Sequence, residues 1–339
     1  MQILAIETSC DETAISVLEV GGTITAPKFK VLGAAVASQI SVHAPWGGVV
    51  PNLAKREHLA NLPIILEEAT KKIKKLNPEL ICVTVGPGLE PALWPGIEYA
   101  KELKKYFPKA KMVGVNHLEG HLFSFLLAPQ IKKIRLNNLF PAAALIVSGG
   151  HTALIKVESL KKWKRVGETR DDAAGEAYDK VSKMLGLPYP GGPELEKLAN
   201  QGNSKAIKFP RPMLNDPNYD FSFSGLKTSV LYHLRDNPDF KKEDVAASFQ
   251  EAVIETLIGK IEKLAKKISA RSLFLSGGVA VNKTLRQEME KLAKKNKTPL
   301  LVAATEFNTD NAVMIGVAGY LTYLRGKKYP LKANGTLNI

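Results

Sequence analysis

The sequence predicts an α/β protein of two related halves facing each other across a central cleft. Three observations carry this. An apolar strand, a polar or glycine turn and a second apolar strand occur twice, as "AIETSCDETAISVLE" (5–19) and "ALIVSGGHTALIKVE" (144–158). The two segments align without a gap and share Ser9 with Ser148, Thr13 with Thr152, Ala14 with Ala153 and Glu19 with Glu158. Each is followed by a strand, a glycine turn and a helix, "LICVTVGPGLEPALWPGIEYAKEL" (80–103) and "SLFLSGGVAVNKTLRQEMEKL" (272–292). The same order of units twice in one chain marks a duplicated α/β half. The expected division is 1–138, completed by a C-terminal helix in 308–339, and 139–307.

The remaining elements follow from spacing. Lys55–Leu76 carries apolar residues at helical intervals and stops before "NP". Leu118–Leu127 reads as a short helix, and Asp172–Leu185 as another that ends at the turn "LPYPGGP". Asp171 and Asp172 suit the N-cap and dipole of that helix. Glu243–Ile268 is a long amphipathic helix with Val245, Phe249, Val253, Leu257 and Ile261 on one side. Thr309–Leu324 closes the fold, with Asn308 or Thr309 as N-cap. The segment "FPRPMLNDPNYDFSFSGLKT" (209–228) is too rich in Pro, Asn, Asp and Ser to be a packed element. It reads as a functional loop, with Lys227 as an anion contact.

Composition narrows the partners. No apolar run approaches the ~20 residues of a membrane span. The N-terminus has no basic leader before its first strand, so no signal peptide is visible. Cys10 and Cys82 are too few for a disulfide framework, which favours a reducing, cytoplasmic setting. The net charge of +14 is spread over runs such as "IKKIR" (131–135) and "KKWKR" (161–165), favouring a polyanionic partner, nucleic acid ahead of acidic membrane.

Two features carry chemistry. In "VNHLEGHLF" (115–123), His117 and His121 lie one helical turn apart, where two imidazoles can converge on a metal that still needs a third ligand. Glu119 lies roughly 200° around the helix from His117. It therefore points away from the pair, unlike the glutamate of H-E-x-x-H peptidases. The turns "TSCDET", "VSGGHT" and "LSGGVAVN" each follow an apolar strand. Consecutive small residues let backbone N–H groups approach an anion. Paired halves with such turns resemble the actin, sugar-kinase and chaperone ATPase superfold, which implies an adenine nucleotide or an adenylate. Asp11 and Glu12 in the first turn are the best candidates for orienting reactants. His43 and His58 read as structural.

Ten motifs together resemble a known family. "IETSCDETAIS", "GGVVPNLAKREH", "VNHLEGHL", "VSGGHTAL", "GETRDDAAGEAYDKVSKMLGL", "YPGGP", "FPRPM", "FSFSGLKT", "SGGVAVN" and "TDNAVMIG" occur in the order seen in tRNA N6-adenosine threonylcarbamoyltransferases, the TsaD/YgjD family, in its bacterial form. The resemblance runs from residue 3 to about 320. It implies transfer of threonylcarbamoyl from threonylcarbamoyl-AMP to N6 of adenosine 37 in tRNAs reading A-starting codons, with release of AMP. Carried over residue by residue, His117, His121 and Asp310 would hold one divalent metal ion, Fe(2+) favoured over Zn(2+). Ile146, Val147, Ser148, Gly149, Gly150, Asp179, Gly192 and Asn282 would contact the adenylate, with a cap on the next helix as the less favoured reading of Asn282. The implied partners are tRNA, a TsaB-type paralogue and a TsaE-type small ATPase. Two alternatives stand beside this. A nucleotide-hydrolysing or phosphotransfer enzyme of the same superfold would not need the histidine pair. A non-enzymatic paralogue would be expected to lose all three metal ligands.

Overall fold

A computed structural model describes residues 1–339. The chain divides into two compact units, Met1–Asn137 with Ala303–Ile339, and Asn138–Val302. The first begins with β1 (Gln2–Glu7), β2 (Glu12–Thr23) and β3 (Ala26–Ser38). A short α1 (Ile40–His43) and α2 (Pro51–Thr70) lead to β4 (Leu80–Gly86), α3 (Glu90–Tyr106), β5 (Lys111–Asn116) and α4 (His117–Phe123). The five strands form one sheet in the order β3-β2-β1-β4-β5. The β1–β2–β3 pairings are antiparallel and β1–β4–β5 parallel.

The second unit repeats this plan with β6 (Ala142–Val147), β7 (Thr152–Ser159), β8 (Lys162–Glu168), β9 (Ser272–Ser276) and β10 (Leu300–Val302). Their order β10-β9-β6-β7-β8 is the first sheet read backwards, with the same strand directions. The register also repeats. Glu7 pairs with Ala14 as Ile146 pairs with Ala153, so the ungapped sequence alignment is also the structural one. The helices are α5 (Ala174–Met184), α6 (Gly191–Ala199), α7 (Ser224–Asp236), α8 (Lys242–Lys267) and α9 (Lys283–Asn296). The chain then returns to the first unit as α10 (Ala312–Leu324).

Each unit has its own core. In the first, Leu4, Ile6, Ile15, Ile81 and Val83 of the sheet pack with Leu93 and Ile97 of α3. Helix α10 is apolar nearly all round and buried from Ala312 to Thr322. Its Gly319 sits directly against Cys82 of β4, where a side chain would collide. In the second unit, Leu145, Val147, Leu154 and Leu273 pack with Phe221, Phe223 and Phe249. No helix is long and apolar enough to cross a membrane.

Several local expectations shift. Helix α2 starts four residues earlier than Lys55, because Pro51 takes the first helical position, where its missing N–H costs nothing. Helix α10 is capped by Asn311, whose Oδ1 accepts from Met314 N at 2.9 Å, and not by Asn308 or Thr309. Asp171 does not cap α5. Its carboxylate accepts from Phe223 N and Ser224 N at 2.8 and 3.2 Å, at the start of α7. Helix α7 therefore begins inside the segment read as loop. Lys227 does make an anion contact, but with Asp172 at 2.7 Å, which also holds Lys180 at 2.9 Å.

Candidate functional site

Strand β5 ends at Asn116, whose Oδ1 accepts from Leu118 N and Glu119 N at 2.8 and 3.2 Å. This cap turns the chain sharply from strand to helix and makes His117 the first residue of α4. One turn on, His121 lies with its ring 4.7 Å from that of His117, edge to face. Asp310, just before α10, brings its Oδ1 to 3.5 Å from His117 Nε2 and 3.1 Å from His121 Nε2. The ligand atoms of the three residues all lie within 4.8 Å of one another.

The sequence reading missed a partner of this trio. Glu7, fully buried at the end of β1, accepts from His117 Nδ1 through Oε2 at 3.1 Å, and Ser9 Oγ lies at 3.1 Å from the same nitrogen. Thr84 Oγ1 donates to Glu7 at 2.7 Å, and Ser9 N donates to its other oxygen. An Nδ1–H held by a carboxylate leaves the Nε2 lone pair free for a metal, the usual outer arrangement of a metal-bound histidine. The available signal was a charged residue closing an otherwise apolar strand.

Electrostatics at this corner are unbalanced. Burial works to lower the His117 pKa, but Asp310 and Glu7 outweigh it and push it up to about 9. For His121, burial wins and the pKa falls, despite the carboxylate of Asp310. Glu12 is held well above the usual carboxylate range by burial, then by Asp310 and Asp11, to which it hydrogen-bonds. Burial and the same carboxylates push the Cys10 thiol well up, which leaves it no nucleophilic character. Glu7, Asp11 and Asp310 thus crowd negative charge around two imidazoles, enough that Glu12 beside them favours its neutral form, and a divalent cation at this corner would relieve the surplus. His121 is fully buried, and neither of its ring nitrogens makes a well-aligned hydrogen bond, although Asp310 is close to one. A nitrogen in that position fits a metal ligand.

The other histidines near the turn do a different job. His58 bonds to Thr13 Oγ1 at 2.8 Å and to the Cys10 carbonyl at 3.0 Å, and His43 to Gln39 at 3.0 Å. His58 pins the turn, His43 fixes Gln39 behind it, and both are structural, as read. Glu119 is turned away from the trio and is held by Arg325, Lys327 and Tyr329.

In the second unit the corresponding turn is made of backbone. Ile146 and Val147 are buried at the end of β6. Ser148 N donates to the His151 carbonyl at 2.8 Å, and His151 N to Ser148 Oγ at 3.1 Å, closing the turn around Gly149 and Gly150. Some neighbouring glycines are required by packing. Gly175 would strike the Ser148 carbonyl at 2.6 Å if it carried a Cβ, and Gly277, at φ +94°, sits on the Val147 carbonyl. These two bring the start of α5 and the "SGGVAVN" loop onto the Ile146–Gly150 turn. Gly149, Gly150, Gly192 and Gly278 differ, since an added Cβ would meet nothing within 4 Å and none has a left-handed φ. Their lack of side chains serves no contact inside the protein.

Asp179 and Gly192 are brought together, because Asp179 Oδ1 accepts from Gly191 N at 2.8 Å and Gly192 N at 3.2 Å at the start of α6. Asn282 is committed to the fold. Its Oδ1 caps α9 through Leu285 N at 2.9 Å, and its Nδ2 donates to Gln250 at 2.8 Å. The cap weighed against a ligand contact is therefore present, because a buried amide is satisfied first by its nearest backbone donor.

Comparison with known proteins decides the family. Residues 30–317 match the family described as tRNA N6-adenosine threonylcarbamoyltransferase. The chain belongs to this family. It is 46% identical over 342 residues to the tRNA N6-adenosine threonylcarbamoyltransferase of Thermosipho melanesiensis, covering 100% of both chains. It is 45% identical to that of Carboxydothermus hydrogenoformans, over 98% of this chain and 95% of the relative. Among solved structures it is similar to HypF of T. kodakarensis, with a TM-score of 0.61 at 15% identity over 96% of this chain. The chain spans 48% of that HypF chain. It is also similar to the activator of the 2-hydroxyisocaproyl-CoA dehydratase from Clostridium difficile, with bound ADPNP, at a TM-score of 0.51 and 15% identity. At such identities these two structures speak for the fold alone. The two mixed five-stranded units are those of the actin-like ATPase superfold. As a threonylcarbamoyltransferase family member, the chain is an enzyme, and the phosphotransfer alternative falls away.

Proposed function

We propose that this protein transfers the threonylcarbamoyl group of threonylcarbamoyl-AMP to N6 of adenosine 37 in tRNAs reading codons that begin with A. The N6 amine attacks the carbamoyl carbon, the bond from that carbon to the phosphate oxygen breaks, AMP leaves with the electron pair, and the proton shed by N6 passes to solvent. The observation that carries this reading is full-length identity of 46% to a named transferase in a chain that keeps His117, His121 and Asp310 together. A divalent ion held by these three would supply Lewis acidity toward a carbonyl or phosphoryl oxygen. Two histidines and one carboxylate with positions left open favour Fe(2+) over Zn(2+).

The chain's own residues divide the remaining work. Glu7 orients His117 and keeps its Nε2 available. Asp11 and Glu12 orient the reactants. In the second unit, the backbone N–H groups of Gly149 and Gly150 take the phosphate and Asp179 and Gly192 hold the nucleoside end, while Asn282, its amide bonded to Leu285 N and Gln250, serves by fixing the start of α9. The open space at Gly149, Gly150, Gly192 and Gly278 supports close approach of a ligand to backbone. Lys132, Lys133 and Arg135, exposed just beyond α4, provide tRNA contacts. The working protein is cytoplasmic and acts with a TsaB-type paralogue and a TsaE-type ATPase. The test is incubation with threonylcarbamoyl-AMP and unmodified tRNA, with and without the paralogue. Modified adenosine at position 37 and released AMP are expected in equal amounts. Neither product, with both partners supplied, would refute the assignment.

A further inference from the structure

The chain beyond α10 does not simply trail off. Its first part holds Glu119, which sits on α4 between the two metal-ligand histidines and is fully buried. A buried carboxylate needs compensation, and here every donor comes from residues 322–329. Oε1 accepts from Tyr329 Oη at 2.6 Å and Lys327 Nζ at 3.0 Å, and Oε2 from Arg325 Nη2 at 2.5 Å, with Thr322 Oγ1 at 3.4 Å. Arg325 also lies over the ring of Phe123, the last residue of α4, at 5.5 Å.

The second part of the segment reaches the other end of the same helix. Asn116, which caps α4 through Oδ1, donates from Nδ2 to the Asn338 carbonyl at 2.9 Å. Between these anchors the segment is fastened to the sheet. Asn334 N donates to the Val85 carbonyl at 2.9 Å. Gly86 and Gly114, near the ends of β4 and β5, leave room for the backbone of Asn334 and Tyr329, which a Cβ would strike. Helix α4 has only seven residues, too few to be stable alone, and it rests its Gly120 on Met314 and Ile315 of α10. It is gripped at its cap, its middle and its end by one C-terminal strap.

We propose that this strap, Arg325–Ile339, is a positioning element for the metal centre. Through Glu119 and Asn116 it sets the rotation of α4 and so keeps both Nε2 atoms on Asp310. The proposal rests on the metal reading of His117, His121 and Asp310, and it assigns a role to residues that touch neither metal nor substrate.

The experiment measures Co(2+) affinity by chelator competition, together with the visible spectrum of bound Co(2+), on full-length protein whose fold is checked by circular dichroism. Outer residues that orient metal ligands are worth about 10- to 100-fold in metal affinity. Glu119→Gln and a chain ending at Ala333 are each expected to lose affinity in that range and to change the cobalt spectrum. Tyr329→Phe is expected to lose less, and Lys327→Arg to recover what Lys327→Met loses. Should Glu119→Gln fail to fold, Tyr329→Phe, the Lys327 pair and the shortened chain decide. A merely structural strap would lower the melting temperature and leave the affinity and spectrum of the folded protein at wild-type values, which would overturn the proposal. His117→Ala separates the two ideas. If it keeps wild-type cobalt affinity, the metal reading itself fails; if it loses cobalt while the strap variants do not, only the strap proposal fails.

Discussion

The turn after β1 and the turn after β6 occupy equivalent places in two sheets of the same topology, yet they are built from opposite materials. Glu7, Cys10, Asp11 and Glu12 in the first align with Ile146, Gly149, Gly150 and His151 in the second. The first turn is a corner of buried side chains whose negative charge exceeds what its own protons and imidazoles neutralise. The second keeps its side chains engaged with the fold and offers bare backbone to solvent. The contrast sets apart the two roles proposed for these turns: charges with too few partners are what a cation would answer, and glycines with no packing reason to be glycine are what would let an anion reach backbone.

The sharpest break in this comparison is His117→Ala. Removing one of three ligands forfeits several kcal/mol of Lewis-acid stabilisation, about a thousandfold in turnover at ~1.4 kcal/mol per tenfold. Elemental analysis should show metal lost together with transfer, and full occupancy in the variant would sink the ligand assignment. Glu7→Gln should be milder, lowering metal affinity about 10- to 100-fold while leaving all three ligands in place. Wild-type affinity there would make Glu7 a packing residue only.

Proton competition sharpens the same side. In the metal-free protein the His117 pKa is raised from 6.5 to about 9. Its stabilising contribution is fully present below pH 6.5 and is lost as pH rises through 9. Metal binding must displace that proton, so affinity should climb about tenfold per pH unit from 7 toward 9, while the melting temperature of the metal-free protein falls. A flat affinity profile over that range would contradict the pairing of His117 with Glu7 and Asp310.

The backbone side is tested by glycine pairs. Gly149→Val should change stability by no more than about 0.5 kcal/mol, since its Cβ would meet nothing, yet weaken adenine nucleotide binding measured by calorimetry. Gly175→Ala, which collides with the Ser148 carbonyl, should cost about 1–3 kcal/mol in denaturant unfolding. Unchanged nucleotide affinity in the first variant would mean the turn is only a turn. The smallest effect is expected from replacing Lys132, Lys133 and Arg135 with Ser. The slope of log affinity for tRNA against log salt should flatten by about 0.7–0.9 for each phosphate no longer neutralised. An unaltered slope would assign these residues to solubility or to a protein partner.

What could be read in advance followed from local pattern. The hairpin repeat, the histidine pair one turn apart and the glycine turns are all statements about neighbours in sequence, and the two sheets follow from them. Asp310 was reached only through the family resemblance, because nothing local joins it to a helix nearly two hundred residues earlier. Glu7 and the partners of Glu119 were missed for the same reason. Their bonds span 110 residues for Glu7–His117 and 206 for Glu119–Arg325, and a buried carboxylate carries no mark of where its donors lie. The capping errors are subtler. Asn308, Thr309 and Asn311 are all good caps, and a 3-10 turn at Thr305–Phe307 delays the helix until the last of them. Asp171 looks like a cap for the helix it precedes, but α7 folds back to claim it.

The outer strands of the two sheets put the lysine content in a different light. β3 is an outer strand with Pro27, Lys28 and Lys30 at its start, β8 carries Lys162 and Lys164 facing solvent, and β5 opens with exposed Lys111. The remaining outer strand, β10, has only three residues. An unpaired strand edge invites another molecule to extend the sheet, and charge, proline or brevity discourages it. Part of the +14 net charge is thus a guard against aggregation, and the area that meets a polyanion is smaller than the total charge implies.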